Sequence, residues 1–335
     1  MNATQDDVMS TAWPLGASHQ GDYTGWHKKS LALPFRLGDL PLFTLSFQGL
    51  AFEQHFTQRP LEPPTLSRLA QLSVNTDVLL LRSQPLTQPL KRLAVDGCHI
   101  RYVSHVYRRF FVDLTQSFEA YLQHFSPKTR STFRRKLRRF EEFSGGAIVW
   151  REFRAAEEMT VFYEAARAVS RKTYQENLFG LGLPHSERFQ RGLVRRAGQD
   201  LIRAYILFHK DIPISYLFCT VLDGILLYEY LGYDHRYEKW SPGTLLQYLV
   251  IEHLCRSGQY RVFDFGEGEA PHKQFFSTRH VPCADIYYFR RSWRNFLMLR
   301  LHAGMGALSQ VIGRGLILIG AKDSLKKALR RWAST

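Results

Sequence analysis

The chain has 335 residues, which is too long for one small hydrophobic core and suits two domains of about 150 residues each. Hydrophobic residues make up 45% of it and aromatic residues 14%, which excludes an intrinsically disordered chain. The net charge of +15 predicts anionic partners: the phosphates of a cofactor, a phospholipid surface, a nucleotide- or lipid-linked sugar, or RNA.

The cysteines and the apolar runs narrow the class of protein further. Cys98, Cys219, Cys255 and Cys283 stand apart with no C-x-x-C pair, so neither a zinc site nor a disulfide framework is indicated, and we expect no metal. Unpaired thiols are typical of the cytoplasm. The polar N-terminus lacks the features of a signal peptide, and no uncharged apolar run reaches the 18 residues or so of a membrane-spanning helix.

The first hundred residues predict a polar N-terminus followed by short strands. Residues 1–30 are predicted to form a flexible segment. Apolar runs between proline and glycine residues then predict strands at 42–47, 78–81, 100–103 and 107–114.

A strongly basic helix is predicted next, over residues 127–143. Seven of the fifteen residues from Ser126 to Phe140 are basic, while Phe133, Leu137 and Phe140 share one apolar face. One interpretation is a solvated basic face on a packed helix. The other is a groove for an anionic substrate, with Lys128 and Arg130 as substrate-binding residues, or contact with a membrane surface. No signature of sequence-specific nucleic-acid binding accompanies this charge.

The second half alternates strands and helices. Strands are predicted at 147–153, 201–209, 212–222, 225–232, 260–265 and 283–289, and helices at 157–172, 185–197 and 243–257. Asp223-Gly224 is a strong hairpin signal within this series. We therefore predict an α/β (α+β) fold in which mixed, mostly antiparallel sheets are flanked by helices.

The sequence from Ser241 to Gln247 predicts an anion site at a helix start. Pro242 suits the first helical position, and Gly243 lets the backbone approach a ligand. The free N–H groups and the positive end of the helix dipole favour phosphate there. The alternative is an ordinary helix start with Ser241 as the N-cap. The candidate binding residues are Ser241, Pro242, Gly243, Thr244, Leu245 and Gln247.

The order of features over residues 220–280 resembles a known family. A strand ending at Asp234, the Ser-Pro-Gly helix start, a Phe-Asp-Phe strand, then Gly266, Gly268 and Lys273 follow one another. This order resembles the GNAT-superfamily acetyltransferases of the CelD/BcsL type, which accompany polysaccharide-biosynthesis genes and are related to FemABX peptidyltransferases. His272 stands where that family commonly has tyrosine, and its glycine-rich signature is reduced here to Gly243.

The resemblance implies a fold, a donor and a division of the chain. It implies tandem GNAT-like domains that use acetyl-CoA or another acyl-CoA as co-substrate, with the donor pyrophosphate at the 241–247 turn. The expected parts are a N-terminal GNAT-like half at 31–143, which includes the linking helix 127–143, and a catalytic GNAT-like domain at 144–290. A basic amphipathic tail at 291–335 either packs on the protein or contacts a membrane interface.

Acyl transfer from a thioester needs a donor site and a base, and no covalent nucleophile. Asp264, Glu229 and His272 are the predicted catalytic residues, although Asp264 could instead form a structural ion pair with an arginine and His272 could be structural. The predicted substrate-binding residues are Asp234, Tyr230, Lys273, Lys128 and Arg130.

These residues predict a cytoplasmic transferase, with peripheral contact at the inner face of the membrane as a further option. It would move an acyl group from acyl-CoA to an amine or hydroxyl of a sugar, glycan precursor or related metabolite. A FemABX-like peptidyltransferase that uses aminoacyl-tRNA is the second hypothesis. A non-catalytic membrane- or polyanion-binding protein is the third.

Overall fold

The computed structural model describes residues 27–37, 40–53, 56, 78–173 and 182–318. Of the predicted flexible segment 1–30, residues 1–26 lie outside the described part and residues 27–30 open the first strand. The described residues divide into two compact units, one from the chain up to Tyr107 together with Val281 onwards, the other from Arg108 to His280.

The first half of the chain supplies five strands and two helices. In chain order they are β1 (His27–Leu37), β2 (Leu40–Glu53), β3 (Val78–Pro85), β4 (Leu93–Asp96), β5 (His99–Asp113), α1 (Phe118–Gln123) and α2 (Pro127–Phe143). The two strands predicted at 100–103 and 107–114 are one continuous strand, β5.

The second half supplies the remaining elements. They are β6 (Val149–Phe153), α3 (Met159–Ser170), α4 (Glu187–Ala197), β7 (Ile202–His209), β8 (Ile212–Leu222), β9 (Ile225–Tyr233), α5 (Pro242–Ser257), β10 (Val262–Asp264), α6 (Pro271–Phe276), β11 (Arg279–Arg290) and α7 (Trp293–Leu318). The structure confirms the predicted helices, the strands predicted at 201–209, 212–222 and 225–232, and the last strand. The strand predicted at 260–265 is shorter, at Val262–Asp264.

The first unit is built on strands β1, β2, β3 and β11. β1 and β2 form an antiparallel hairpin, β2 pairs in parallel with β3, and β3 pairs antiparallel with β11. β4 pairs antiparallel with the start of β5. Helix α7 packs Leu299, which is fully buried, against a core that includes Leu33, Phe35 and Phe289.

The second unit has a six-strand sheet in the order β5, β10, β9, β8, β7, β6, where β5 contributes its C-terminal end. All of its pairs are antiparallel except β9 with β10. Helices α1, α2, α5 and α6 pack on one face, and α3 and α4 pack on the other. The predicted fold class, a mixed and mostly antiparallel sheet flanked by helices, is confirmed.

The basic helix α2 is part of the second unit's core. Phe133 and Phe140 are 3% and 0% exposed, and they pack with residues of α5 and α6. The division of the chain into GNAT-like halves at 31–143 and 144–290 remains a prediction. Of the predicted tail, residues 293–318 form α7, and 319–335 lie outside the described part. Among the described helices, none has the length and hydropathy needed to cross a membrane.

Strands β9 and β10 separate after a short parallel stretch. Their pairing ends at Leu227 opposite Asp264, while β9 continues to Tyr233. Beyond Leu227, the described residues therefore leave one edge of β9 without a strand partner. On its other edge, Cys219 pairs with Tyr228 and Phe218 with Tyr230, so that Glu229 is the extra residue of a β-bulge. Bulges of this kind are common beside active sites, where they redirect side chains.

A buried ion pair ties the end of β10 to β5. Asp264 is fully buried, and its Oδ2 accepts hydrogen bonds from Arg109 Nε at 2.8 Å and Nη2 at 2.6 Å. Its Oδ1 accepts from the backbone N–H of Gly266 at 2.8 Å. These bonds compensate the cost of burying a carboxylate and fix the turn that leaves β10.

Replacement of the Asp264 carboxylate tests how much it contributes to the stability of the fold. Asp264→Asn removes the negative charge of the buried ion pair with Arg109, so we expect a loss of about 3–5 kcal/mol in the free energy of unfolding. Urea denaturation followed by circular dichroism measures it.

Glu269→Gln is the matched control, because Glu269 pairs with Arg108 at 2.7 Å but both side chains are more than 40% exposed. We expect little change from it, since exposed ion pairs contribute little to stability. Equal unfolding midpoints for wild type and Asp264→Asn would contradict a structural role for the pair.

Candidate active site

A cavity of about 400 Å³ lies in the second unit, between α2, the start of α5 and α6. Three threonines, Thr129, Thr132 and Thr244, and two titratable groups, Lys136 and His272, provide its polar lining. The rest is apolar and comes from Phe133, Pro271, Phe275 and Phe276. A cavity with an apolar wall and a few convergent polar groups is typical of a small-molecule site.

The start of α5 provides backbone donors beside this cavity. Ser241 adopts a left-handed conformation (φ 53°, ψ 49°), and Pro242 follows as the first helical residue. Among the described residues no side chain caps the helix, so the predicted N-cap serine occupies the cap position without capping it. First-turn N–H groups that lack a cap form an anion-binding end together with the helix dipole.

Lys136 of α2 reaches this helix start. Its Nζ donates a hydrogen bond to Ser241 Oγ at 3.1 Å, and its side chain lines the cavity. An ammonium group and the positive end of a helix dipole thus lie at one point, which is the arrangement expected for a phosphate site. Lys136 was not among the residues predicted from the sequence. Its spacing of four from Thr132 and three from Phe133, which also line the cavity, places it on the same face of the helix and could have indicated it.

The other residues of the 241–247 turn have different surroundings. A Cβ on Gly243 would lie 3.1 Å from Leu231 Cδ2 and 3.2 Å from Tyr233 Cδ1, so close packing of α5 on β9 accounts for this glycine. Leu245 is fully buried in the core. The Gln247 side chain is 2% exposed, and its amide nitrogen has no hydrogen-bond partner in the described part of the chain.

Helix α6 places His272 in the cavity. Burial, with a smaller contribution from Lys273, lowers the pKa of His272 below its usual 6.5, so the imidazole is neutral at neutral pH. Its ring centroid lies 6.2 Å from that of Tyr228. Burial raises the pKa of Tyr228 well above 10, so this phenol keeps its proton.

Lys273 faces the loop between β10 and α6. Its ammonium donates a hydrogen bond to the carbonyl oxygen of Glu267, and burial lowers its pKa while the charge of Asp264 opposes that shift. Lys273 and the Arg109–Asp264 pair therefore hold this loop from two sides, and it leads directly to His272.

Glu229 and Tyr230 do not line the cavity. Glu229 is exposed at the bulge and accepts a hydrogen bond from Thr220 Oγ1 at 2.7 Å. The ring of Tyr230 packs near Phe189 and Phe218, in the core on the other face of the sheet.

Asp234 is held in place by two basic residues, Arg236 and Lys172. It is fully buried, and its carboxylate accepts hydrogen bonds from Arg236, including Nη2 at 2.6 Å, with Lys172 Nζ at 3.6 Å. Although burial opposes ionisation, the bonds from Arg236 hold the pKa of Asp234 below its usual value. Asp234 also caps the short 3₁₀ helix His235–Trp240 that leads to Ser241, so it fixes the approach to α5.

Lys128 and Arg130 lie in the first turn of α2, on either side of the cavity residue Thr129. Lys128 is exposed, and Arg130 donates a hydrogen bond to the Gln123 side chain. No group of three or more histidine, cysteine or acidic residues in the described part of the chain is arranged to hold a metal ion.

Comparison with known proteins gives a family match over part of the chain. Residues 127–274 match the family model described as the acetyltransferase (GNAT) domain. No curated protein matches the sequence.

Two of the solved structures that resemble this protein cover most of the chain. One is the C-terminal domain (DUF2156) of a putative lysylphosphatidylglycerol synthetase from Agrobacterium fabrum, at 10% identity and a TM-score of 0.50, covering 77% of this chain and 84% of that one. The other is FemX, at 9% identity and a TM-score of 0.50, covering 82% and 90%. At such identities the likeness shows the fold alone. The matched segment, residues 127–274, contains Lys136, the start of α5 and His272, together with all of the residues that line the cavity except Phe275 and Phe276.

Proposed function

We propose that this protein is an acyltransferase that moves an acyl group from acetyl-CoA or another acyl-CoA to an amine or hydroxyl. The observation that carries the proposal is the start of α5, where uncapped helix N–H groups and Lys136 lie together beside a cavity in the GNAT-type segment. The acceptor in this proposal is a sugar, glycan precursor or related metabolite of polysaccharide biosynthesis.

The donor pyrophosphate binds at the start of α5 in this proposal. The backbone amides of the 241–247 turn and the ammonium of Lys136 neutralise its charge, and Ser241 and Thr244 donate hydroxyl hydrogen bonds. The buried amide nitrogen of Gln247, one turn further along α5, offers a further donor.

The unpaired edge of β9 suits the remainder of the donor. From Tyr228 to Tyr233 this strand has no described partner on the β10 side, although its backbone N–H and C=O groups require one. The pantetheine arm of CoA contains amide groups that can pair with such an edge, as an added strand would. That path runs from the start of α5 toward Tyr228.

His272 is the base in this proposal. Neutral imidazole removes the proton from the acceptor nitrogen or oxygen as that atom attacks the thioester carbonyl carbon; the carbon–sulfur bond then breaks and the thiolate leaves. The protonated Tyr228 is placed to donate a hydrogen bond near this point. Asp264 acts as a positioning residue through the turn that leads to His272.

The acceptor is placed at the mouth of the cavity. Lys128 and Arg130 lie beside Thr129 at its α2 side, where they suit an anionic group, and Lys273 lies beyond His272. Glu229, in the exposed bulge, is proposed to contact the same acceptor with its side chain. Tyr230, whose ring packs on the other face of the sheet, is proposed to contribute only its backbone groups, at the unpaired edge of β9. Asp234 contributes by fixing the approach to Ser241.

We place the protein in the cytoplasm, in peripheral contact with the inner face of the membrane. A FemABX-type transferase that takes its acyl group from aminoacyl-tRNA is the second candidate, because the likeness to FemX spans 82% of the chain. The basic residues of α2 suit the phosphates of a tRNA as well as those of CoA.

Removal of Lys136 tests the donor site. Loss of a hydrogen bond to a charged group costs about 1.5–3 kcal/mol, so Lys136→Ala is expected to weaken acetyl-CoA binding about tenfold or more. Isothermal titration with acetyl-CoA and desulfo-CoA measures the dissociation constants.

Arg138→Ala is the matched control, because Arg138 is an exposed residue of the same helix and its loss changes the net charge equally. Equal weakening in both variants would contradict a specific site and indicate charge-driven binding, as expected of a non-catalytic polyanion-binding protein. Absence of wild-type binding at millimolar acetyl-CoA would remove the CoA hypothesis, and charged tRNA would be titrated next.

The pH dependence of His272 tests the proposed base. We expect its imidazole to titrate below the usual 6.5, so the unfolded protein binds the proton more tightly and folded stability falls as pH drops through 6.5. Two-dimensional NMR of histidine ring protons, with the resonance assigned by its loss in His272→Gln, measures the pKa. In urea, where the protein is unfolded, the pKa measured from the same resonance should be about 6.5. Titration of His272 above that value in the folded protein would contradict the role.

A further inference from the structure

Helix α7 of the first unit carries apolar residues on both of its faces. Leu299 is fully buried, and Met298, Ala303 and Met305 pack against the core of the unit. The opposite face is also apolar, with five large side chains that are 41–72% exposed: Trp293, Phe296, Leu297, Leu301 and Leu308. A helix with apolar residues all round needs a second apolar surface beside the one that it already covers.

The exposed residues form one continuous stripe. Trp293, Leu297 and Leu301 follow one another at intervals of four, and Leu308 continues the same side of the helix. Gly304 lies between them, and a Cβ placed on it meets no atom within 4 Å. Contiguous exposed apolar patches mark interaction sites, unlike single exposed residues.

Cations accompany the stripe. The Arg294 guanidinium lies 5.6 Å from the ring centroid of Trp293, and that of Arg300 lies 5.9 Å from the ring centroid of Phe296. Among the described residues, Arg294 and Arg300 form no ion pair with a carboxylate. No acidic residue occurs in the sequence between Asp285 and Asp323. The surface that α7 presents is therefore both apolar and uniformly cationic.

A second cavity, of about 480 Å³, opens at the start of this helix. Val95, Ile100, Trp293 and Phe296 form its apolar walls, and Arg291 and Ser292 provide its polar atoms. Arginine beside an apolar recess can bind a phosphate group while the recess takes hydrocarbon.

We infer that the outer face of α7 is a membrane-surface helix that binds bilayers containing anionic phospholipid. The helix lies flat in the interface, because its inner face is committed to the core of the unit and cannot be exposed to lipid. Trp293, Phe296, Leu297 and Leu301 enter the headgroup boundary, and Arg291, Arg294 and Arg300 contact lipid phosphates. The outer face of α7 would be the surface through which the protein makes the membrane contact proposed above. The inference rests on that proposed contact, but it does not depend on acyl transfer.

Vesicle binding tests the surface. The full-length protein is mixed with phosphatidylcholine vesicles or with phosphatidylcholine–phosphatidylglycerol vesicles, and bound protein is measured by flotation. We expect binding to the anionic vesicles that weakens as salt is added. Replacing Trp293, Phe296 and Leu297 together by serine is expected to reduce the partition coefficient at least about tenfold. Arg294→Gln and Arg300→Gln should each reduce it about fivefold.

Matched controls separate this surface from general effects. Val149, Val161 and Val194 of the second unit are 43–55% exposed, and their joint replacement by serine removes similar apolar area elsewhere. That variant should bind vesicles as wild type does. Acetyl-CoA titration of the α7 triple variant shows whether the donor site survives, so loss of lipid binding with donor binding intact separates the two proposals.

Several results would overturn the inference. They are equal binding to neutral and anionic vesicles, wild-type binding by the α7 triple variant, or equal loss in the valine variant. A wild-type dimer that the α7 substitutions dissociate, with no vesicle binding by either form, would assign the stripe to a second copy of the chain. Analytical ultracentrifugation distinguishes that case.

Discussion

The buried contact between Arg109 and Asp264 is the constraint on which the candidate site depends. A carboxylate without solvent must be compensated, and this one is compensated by a guanidinium on the neighbouring strand and by the N–H of Gly266. The contact fixes where β10 ends and in which direction the chain leaves it. Because α6 begins at Pro271, the same contact constrains the path of the chain toward His272, although Asp264 is not among the residues that line the cavity.

Both the sheet and the helices contribute parts of the candidate site. The separation of β9 from β10 leaves a strand edge available, and the bulge at Glu229 changes the side-chain alternation of β9 at that level. Helix α5 then returns along β9 so closely that a Cβ at position 243 would press on the side chains of Leu231 and Tyr233. Helix α2 covers the opening from a distant part of the sequence and brings Lys136 to the start of α5. The segment that matches the GNAT domain model, residues 127–274, contains all of these parts.

The order and type of the elements in the second half could be predicted, because strand alternation, the Asp223-Gly224 turn and the Ser-Pro-Gly helix start are local signals. The candidate site was harder to predict from the sequence than these elements were. The contact of Lys136 with Ser241 joins residues 105 positions apart, and no local pattern specifies it. Glu229 and Tyr230 were predicted to act in catalysis and in substrate binding. Glu229 is instead the extra residue of a bulge, which the sequence does not reveal, and it is exposed, while the ring of Tyr230 packs in the core on the other face of the sheet. Of the two readings offered for Asp264, the arginine ion pair is present, and a direct catalytic role stays a prediction.

The contact between Lys136 and Ser241 has a thermodynamic consequence. It brings an ammonium to the positive end of a helix dipole, and these like charges repel each other. A bound anion converts both into attractions, so part of its binding free energy comes from the relief of this repulsion. Any ligand that binds only the folded protein raises the free energy of unfolding with the logarithm of its concentration. In the proposed function that anion is the donor, so the folded stability and the lifetime of the protein would both increase with the supply of donor.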